Sequence, residues 1–157
     1  MPRIALTPLT DEEFTAYYRE AVAGYAAANV ATGNWKPEDA VRRSEEAHAK
    51  LLSDGVATPK NHLFAARVEN RKVGAIWFAE RDEASGPLAY VYDVRVDADQ
   101  RGKGYGRAVM EAVEAEVRAL GLTKIQLHVH GDNTTARTLY GSAGYAETNV
   151  VMVKRLD

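Results

Sequence analysis

The sequence predicts a mixed α/β domain: a mostly antiparallel central sheet flanked by helices, in the order β-α-α-β-β-β-α-β-α-β-β. Three observations predict it. Short runs rich in β-branched and aromatic residues recur, and two of them, Asn61–Glu69 and Lys72–Ala79, are separated only by a tight turn at Asn70-Arg71. Elsewhere apolar residues recur at three- and four-residue steps, the mark of one helix face. The two periods interleave along 157 residues with no repeat and no low-complexity linker, which suggests one domain over residues 1–157.

Ile4–Leu6 reads as a first strand, closed by Pro8. Thr10 and Glu13 form a capping box, and Phe14, Tyr17, Tyr18, Ala21, Val22 and Tyr25 follow on one helix face. Gly33 stops that helix, and Pro37 opens a second one running to about Leu52, with a strongly charged surface. The hairpin of Asn61–Glu69 and Lys72–Ala79 follows, then a polar loop from Arg81 to Pro87, then a strand over Leu88–Val96. Val109, Met110, Val113, Val117 and Leu120 mark the next helix, with Gly121 at its C′ position. Lys124–Val129 reads as a strand, Gly131–Asn133 as a turn, and Thr134–Ala143 as a helix. Tyr145–Glu147 and Val150–Arg155 are expected to close the sheet as a strand pair.

Composition narrows the function. A formal net charge of −2 gives no reason to expect nucleic acid or an anionic membrane as partner. There is no cysteine, so disulfides, thiolate metal sites and a cysteine nucleophile are excluded. No apolar run approaches the roughly 18 residues of a spanning helix. The apolar part of the N-terminus is too short for a signal peptide, and a cytoplasmic location is expected.

Between the strand ending at Val96 and the helix that follows lies Gln100-Arg101-Gly102-Lys103-Gly104-Tyr105-Gly106-Arg107. Glycine lets backbone N–H groups converge on a ligand. The first N–H groups of a helix lack internal partners and carry the positive end of its dipole. Together these make a pyrophosphate cradle, with Arg101, Lys103 and Arg107 adding positive charge. The spacing misses the dinucleotide pattern, since Arg107 stands where a third glycine belongs, and it lacks the Lys-Ser/Thr of a triphosphate loop. After its Val-x-Val strand, it resembles the Q/R-x-x-G-x-G/A acyl-CoA signature of the GNAT superfamily of N-acetyltransferases. Leu127 to Tyr145 resembles a second block of that family, with an Asn after the strand and Ala, Leu-Tyr and Gly-aromatic at fixed offsets. The element order matches as well.

The resemblance implies acetyl-CoA as co-substrate and a small-molecule or peptide amine as acceptor. It implies that Arg101, Gly102, Lys103, Gly104, Tyr105, Gly106 and Arg107 hold the pyrophosphate, and that Val94, Arg95 and Val96 bind pantetheine. Asn133 would contact the pantetheine arm; it is equally a plain helix cap. Tyr140 would protonate the leaving thiolate, a phenol of pKa about 10 being protonated at neutral pH; otherwise it is a packing aromatic. Asp93 stands where some members carry acidic residues against the acceptor amine, and is otherwise an ion pair with Arg95. His128 is a further candidate base, since some members carry a Glu at its place, and a water chain is an alternative to both. His128 and His130 alternate on one strand face, but no third ligand follows at metal-binding spacing. Trp35, Trp77, Tyr90 and Tyr92 line either an acceptor pocket or the core. Dimers are common in the family, which makes a homodimer an expectation. The rival function is a non-catalytic acyl-CoA-binding regulatory module.

Overall fold

Helix α1 (Asp11–Ala31) starts where its cap demands. The Thr10 hydroxyl accepts from the Glu13 N–H, and the Glu13 carboxylate accepts from the Thr10 N–H, so both halves of the capping box form. The computed structural model, which describes residues 3–157, precedes this helix with strand β1 (Ala5–Pro8) and follows it with α2 (Pro37–Leu51). The helices pack together, and the buried Ser44 hydroxyl donates to the Val22 carbonyl at 2.7 Å between them. Next come β2 (Asn61–Val68), β3 (Arg71–Glu83), β4 (Gly86–Val96), α3 (Tyr105–Ala119), β5 (Ile125–Leu127) and α4 (Thr134–Ser142).

The strands form one five-stranded sheet in sequence order. The first four are antiparallel, and β5 lies parallel to β4. Each sheet face carries its own core. On one, Ile76, Phe78 and Val91 pack against Val109, Val113 and Val117 of α3. On the other, Ala65, Ala75 and Trp77 pack against Tyr17 and Ala21 of α1. Of the predicted α3 face only Leu120 fails to bury, at 41% exposed; it follows the last helical residue and has turned outward.

Four expectations need correction. The polar stretch Arg81–Pro87 is not a loop. β3 and β4 run on as a paired ladder to Glu83 and Gly86, where Gly86 takes the positive φ of the tight turn. Arg81, Asp82 and Glu83 read as loop residues because this end of the hairpin meets solvent. Arg81 nevertheless lies over the Tyr90 ring at 4.5 Å and pairs with Glu83. The β2–β3 turn also falls one residue early, at Glu69 and Asn70, both with positive φ.

The third correction is at the end of the chain. Tyr145–Glu147 and Val150–Arg155 form no strands, and Val151, Met152 and Val153 are 86–89% exposed. Their alternation is strand-like, but a strand needs a partner, and the segment lies on no edge of this sheet. β5 is also shorter than Lys124–Val129, because β4 pairs with it only from Ala89 to Val91. Just beyond, the β3–β4 register slips by one, leaving Tyr92 as an extra residue opposite the Trp77–Phe78 step. Such a bulge bends its strand and increases its twist. β4 and β5 diverge from this point, and the divergence opens the cleft described next.

Candidate active site

The cleft encloses about 1,100 Å³. Its walls are β4 from Tyr90 to Val96, the glycine turn, the end of β5 through His130, one face of α4, and the inner sides of α1 and α2.

At the glycine turn, Gly102 and Gly104 both have φ of +79°. A Cβ added to either would meet no atom within 4 Å, so the space above them is open. Gly104 is the N-cap of α3, and no side chain caps that helix. The first N–H groups of α3 are therefore available to an anion. Arg101 is anchored, its Nε donating to the Val96 carbonyl at 3.1 Å. Arg101, Gly102, Gly104, Tyr105 and Gly106 line the cleft; Lys103 and Arg107 do not. Lys103 bonds Gln100, and Arg107 reaches across to the Ser142 hydroxyl. Gly106 has a packing reason of its own: a Cβ there would meet Leu139 of α4 at 3.2 Å.

Along β4 the side chains divide. Val94 and Val96 pack on the α3 core. Asp93 and Arg95 stand opposite Trp77 and Ala75, on the α1 face. Among the described residues no strand pairs with β4 from Tyr92 to Val96 on its β5 side, so backbone groups face the cleft.

Asp93 accepts two bonds on one oxygen, from the Tyr17 hydroxyl at 2.7 Å and from Arg95 Nε at 2.9 Å. Burial first, then the Asp93 charge, holds the Tyr17 phenol well above its ordinary pKa, so Tyr17 stays a donor. The ion pair with Arg95 was legible in the sequence. Tyr17 was not, because on α1 it reads only as an apolar-face aromatic, 76 positions from Asp93.

Tyr140 lines the same cleft from α4. Burial, with the Asp93 charge adding to it, raises its pKa above the phenol norm. Its ring packs on Tyr145 at 5.7 Å. The Tyr145 hydroxyl is buried with no partner among the described residues, and burial, with the Glu114 charge, pushes its pKa up to about 12. Asn133 caps α4, its Oδ1 accepting from the Ala136 N–H at 3.1 Å, and also lines the cleft.

His128 lines the cleft with its ring against His130, 5.1 Å apart and edge-on. Burial, then the neighbouring His128, lowers the His130 pKa, with Asp132 opposing. Trp77, Tyr90 and Tyr92 all line the cleft; Trp77 is at the same time a core residue, its indole N–H donating to Asn61 Oδ1 at 2.8 Å, and Tyr92 stacks on it at 4.5 Å. Trp35 packs on Tyr25 outside the cleft. Tyr25, Asn29 and His48 complete the α1–α2 wall, and nothing in their spacing marked them as site residues.

The model of the acetyltransferase (GNAT) family matches residues 30–145. The uncharacterized N-acetyltransferase YycN of Bacillus subtilis is 38% identical over 154 residues, 98% of this chain and 99% of that protein. The crystal structure of YycN superimposes with a TM-score of 0.91 over 98% of each chain. The mycothiol acetyltransferase of Thermobispora bispora is 36% identical over 127 residues, which is 78% of this chain but 40% of that longer protein. A cleft opened by strand divergence beside an uncapped glycine turn, on a chain matched by that family model over most of its length, has one assignment: this protein belongs to the GNAT family of acetyltransferases.

Proposed function

We propose that the protein moves the acetyl group of acetyl-CoA to a primary amine by direct attack, with Tyr140 as the acid that serves the leaving sulfur. The observation that carries this reading is the convergence on one cleft of an open glycine turn, an unpaired β4 edge, the Asp93 carboxylate and the Tyr140 phenol. The first two fit a CoA-type ligand. Open space over Gly102 and Gly104, beside the uncapped α3 N-terminus, suits a pyrophosphate, with Arg101 at the rim. The unpaired edge from Tyr92 to Val96 can bond an extended amide-bearing arm as a strand would, and Asn133 faces it from α4. An unpaired N–H near Val94 would stabilise the oxyanion.

In this proposal Asp93 is the base-side group. Tyr17 and Arg95 both bond Oδ2, which leaves Oδ1 for the amine or for a water relaying its proton. His128 is the second candidate, since it shares the cleft but makes no hydrogen bond among the described residues. The amine attacks the thioester carbonyl carbon, a C–N bond forms, the C–S bond breaks, and Tyr140 donates toward the departing sulfur. The test is a screen of amines with acetyl-CoA, reading free thiol. Thiol release dependent on one amine class supports the reading. Tight CoA binding without release from any amine favours the regulatory module.

A homodimer belongs to the same proposal. Val150–Val153 are 65–89% exposed and rich in β-branched residues, and among the described residues neither this segment nor the outer edge of β5 has a strand partner. A second copy's segment would supply a strand for that edge, reciprocally by two-fold symmetry. Light scattering should give twice the monomer mass, and Val151→Asp should shift it toward monomer. A monomeric wild type at assay concentration would refute this.

A further inference from the structure

Arg95 is placed to read the acceptor. Its Nε is committed to Asp93 at 2.9 Å, but Nη1 and Nη2 have no hydrogen-bond partner among the described residues. The guanidinium lies against α1 at Gly24. A Cβ at Gly24 would stand 2.4 Å from Nη2 and 3.2 Å from Nη1, so the helix has no side chain where the guanidinium rests. Gly24, Asp93 and Arg95 all line the cleft, and the Arg95 side chain is 27% exposed. Tied at Nε, resting on α1 at Gly24 and with no hydrogen bond on Nη1 or Nη2 among the described residues, this arginine is already oriented. A planar fork with free N–H groups matches a pair of anionic oxygens.

We propose that the acceptor is an amine carrying a carboxylate close to its nitrogen, as an amino acid does, with the carboxylate held by the Nη end of Arg95. This rests on the acetyl-transfer reading and deepens it. The Nε bond puts the anion site within one guanidinium width of the carboxylate that faces the amine. The two charges of an amino acid thus meet opposite charges in the same order. A diamine or polyamine would instead bring a second cation against Arg95, and like-charge contact is an effective device of rejection. A carboxylate suits the site better than a phosphate. A single guanidinium, already paired with Asp93, leaves a dianion undercompensated. Arg95 also serves a different ligand from the glycine turn: it stands on the α1 face, while Arg101 stands at the turn, bonded to Val96.

The test measures kcat/KM with acetyl-CoA for matched acceptors: L-phenylalanine, L-phenylalaninamide and phenethylamine, with the alanine and lysine analogues of each. The wild type should favour the carboxylate-bearing member by roughly 10- to 100-fold, the scale of a hydrogen bond to a charged group. The effect should fall mainly on KM. In Arg95→Gln that ratio should collapse toward one, and Arg95→Lys should recover only part of it. Any general effect of the substitution on rate divides out of the ratio. The CoA-induced rise in melting temperature reports whether each variant is folded and binds its co-substrate. Equal use of the three members by the wild type, or a ratio that survives Arg95→Gln, overturns the inference and leaves acetyl transfer standing. No thiol release from any amine while CoA binds overturns the underlying reading, and this inference with it.

Discussion

Replacing Tyr140 by Phe removes one hydroxyl and keeps a ring that packs on Tyr145. That hydroxyl has no hydrogen-bond partner among the described residues, so the fold should lose less than about 1 kcal/mol. The catalytic effect depends on how acidic the phenol is. General acid catalysis is worth roughly 10²- to 10⁴-fold, but its upper range needs a donor more acidic than the group it protonates. Burial raises the Tyr140 pKa above the phenol norm, whereas an aliphatic thiol has a pKa of about 8.5. Complete proton transfer from this phenol to the thiolate is therefore uphill. What Tyr140 can supply is a strong hydrogen bond to sulfur as charge develops there. Such a bond to a charged group contributes about 1.5–3 kcal/mol, or roughly 10- to 100-fold in rate at 1.36 kcal/mol per tenfold. We therefore expect Tyr140→Phe to lower kcat by about 10- to 100-fold, with little change in the KM for acetyl-CoA. The loss should shrink with thioesters of more acidic thiols, which need less help to leave. The assay is steady-state thiol release, with single-turnover runs to establish that chemistry limits kcat. An unchanged kcat under chemical control would make Tyr140 a packing residue.

Two further predictions follow from the site. Gly104→Val places a β-branched side chain at φ +79° and into the open space above the turn; it should cost about 1–3 kcal/mol in strain and abolish the CoA-induced rise in melting temperature. In the wild type, CoA at 100 times its Kd adds about 2.7 kcal/mol, and equal stabilisation by ATP would show that the cradle was misassigned. For His130, burial lowers the folded pKa below that of the unfolded chain. Below about pH 6.5 the unfolded state then binds more protons. Stability should be fully present above that pH and fall as pH drops through the lowered value, and His130→Gln should flatten that part of a melting curve series; an unchanged slope would refute the assignment.

Much of this was legible in the sequence because local rules suffice. A capping box at Thr10, a proline opening α2 and valines at i, i+4, i+8 on α3 specify elements without knowledge of their neighbours. The glycine turn was legible for the same reason. Contacts made across the sheet were not. Tyr17 reaches Asp93 only because α1 lies over β4, and Gly24 is explained only by Arg95. Arg107 was chosen for its charge, and its contact with Ser142, 35 residues on, was not legible either. The closing strands misled because alternation marks a segment able to pair and says nothing of where its partner is.

One long-range feature did leave a local trace. Along β4 the core-facing residues are Ala89 and Val91, then Val94 and Val96, so the apolar phase changes from odd to even. A one-residue slip moves every later side chain to the opposite face, and the bulge at Tyr92 is that slip. Without it, Asp93 and Arg95 would continue the phase of Val91 into the α3 core, and Val94 and Val96 would face α1. The bulge thus puts the acid and the arginine in the cleft and keeps the valines buried. Deleting Tyr92 removes the spare residue together with the bulge, so plain alternation from Val91 still puts Asp93 and Arg95 on the α1 face and Val94 and Val96 in the core. That variant should fold, with a modest loss from the stacking on Trp77. Deleting Tyr92 and Asp93 together instead puts Arg95 in the phase of Val91, among Val109, Val113 and Phe78. Desolvation costs several kcal/mol per ion even in a relaxed protein, against a total stability of about 5–15 kcal/mol, so the double deletion should fail to yield a cooperatively melting protein. If the single deletion is as unstable as the double, the bulge does not set the phase of β4, and the placement of Asp93 needs another cause.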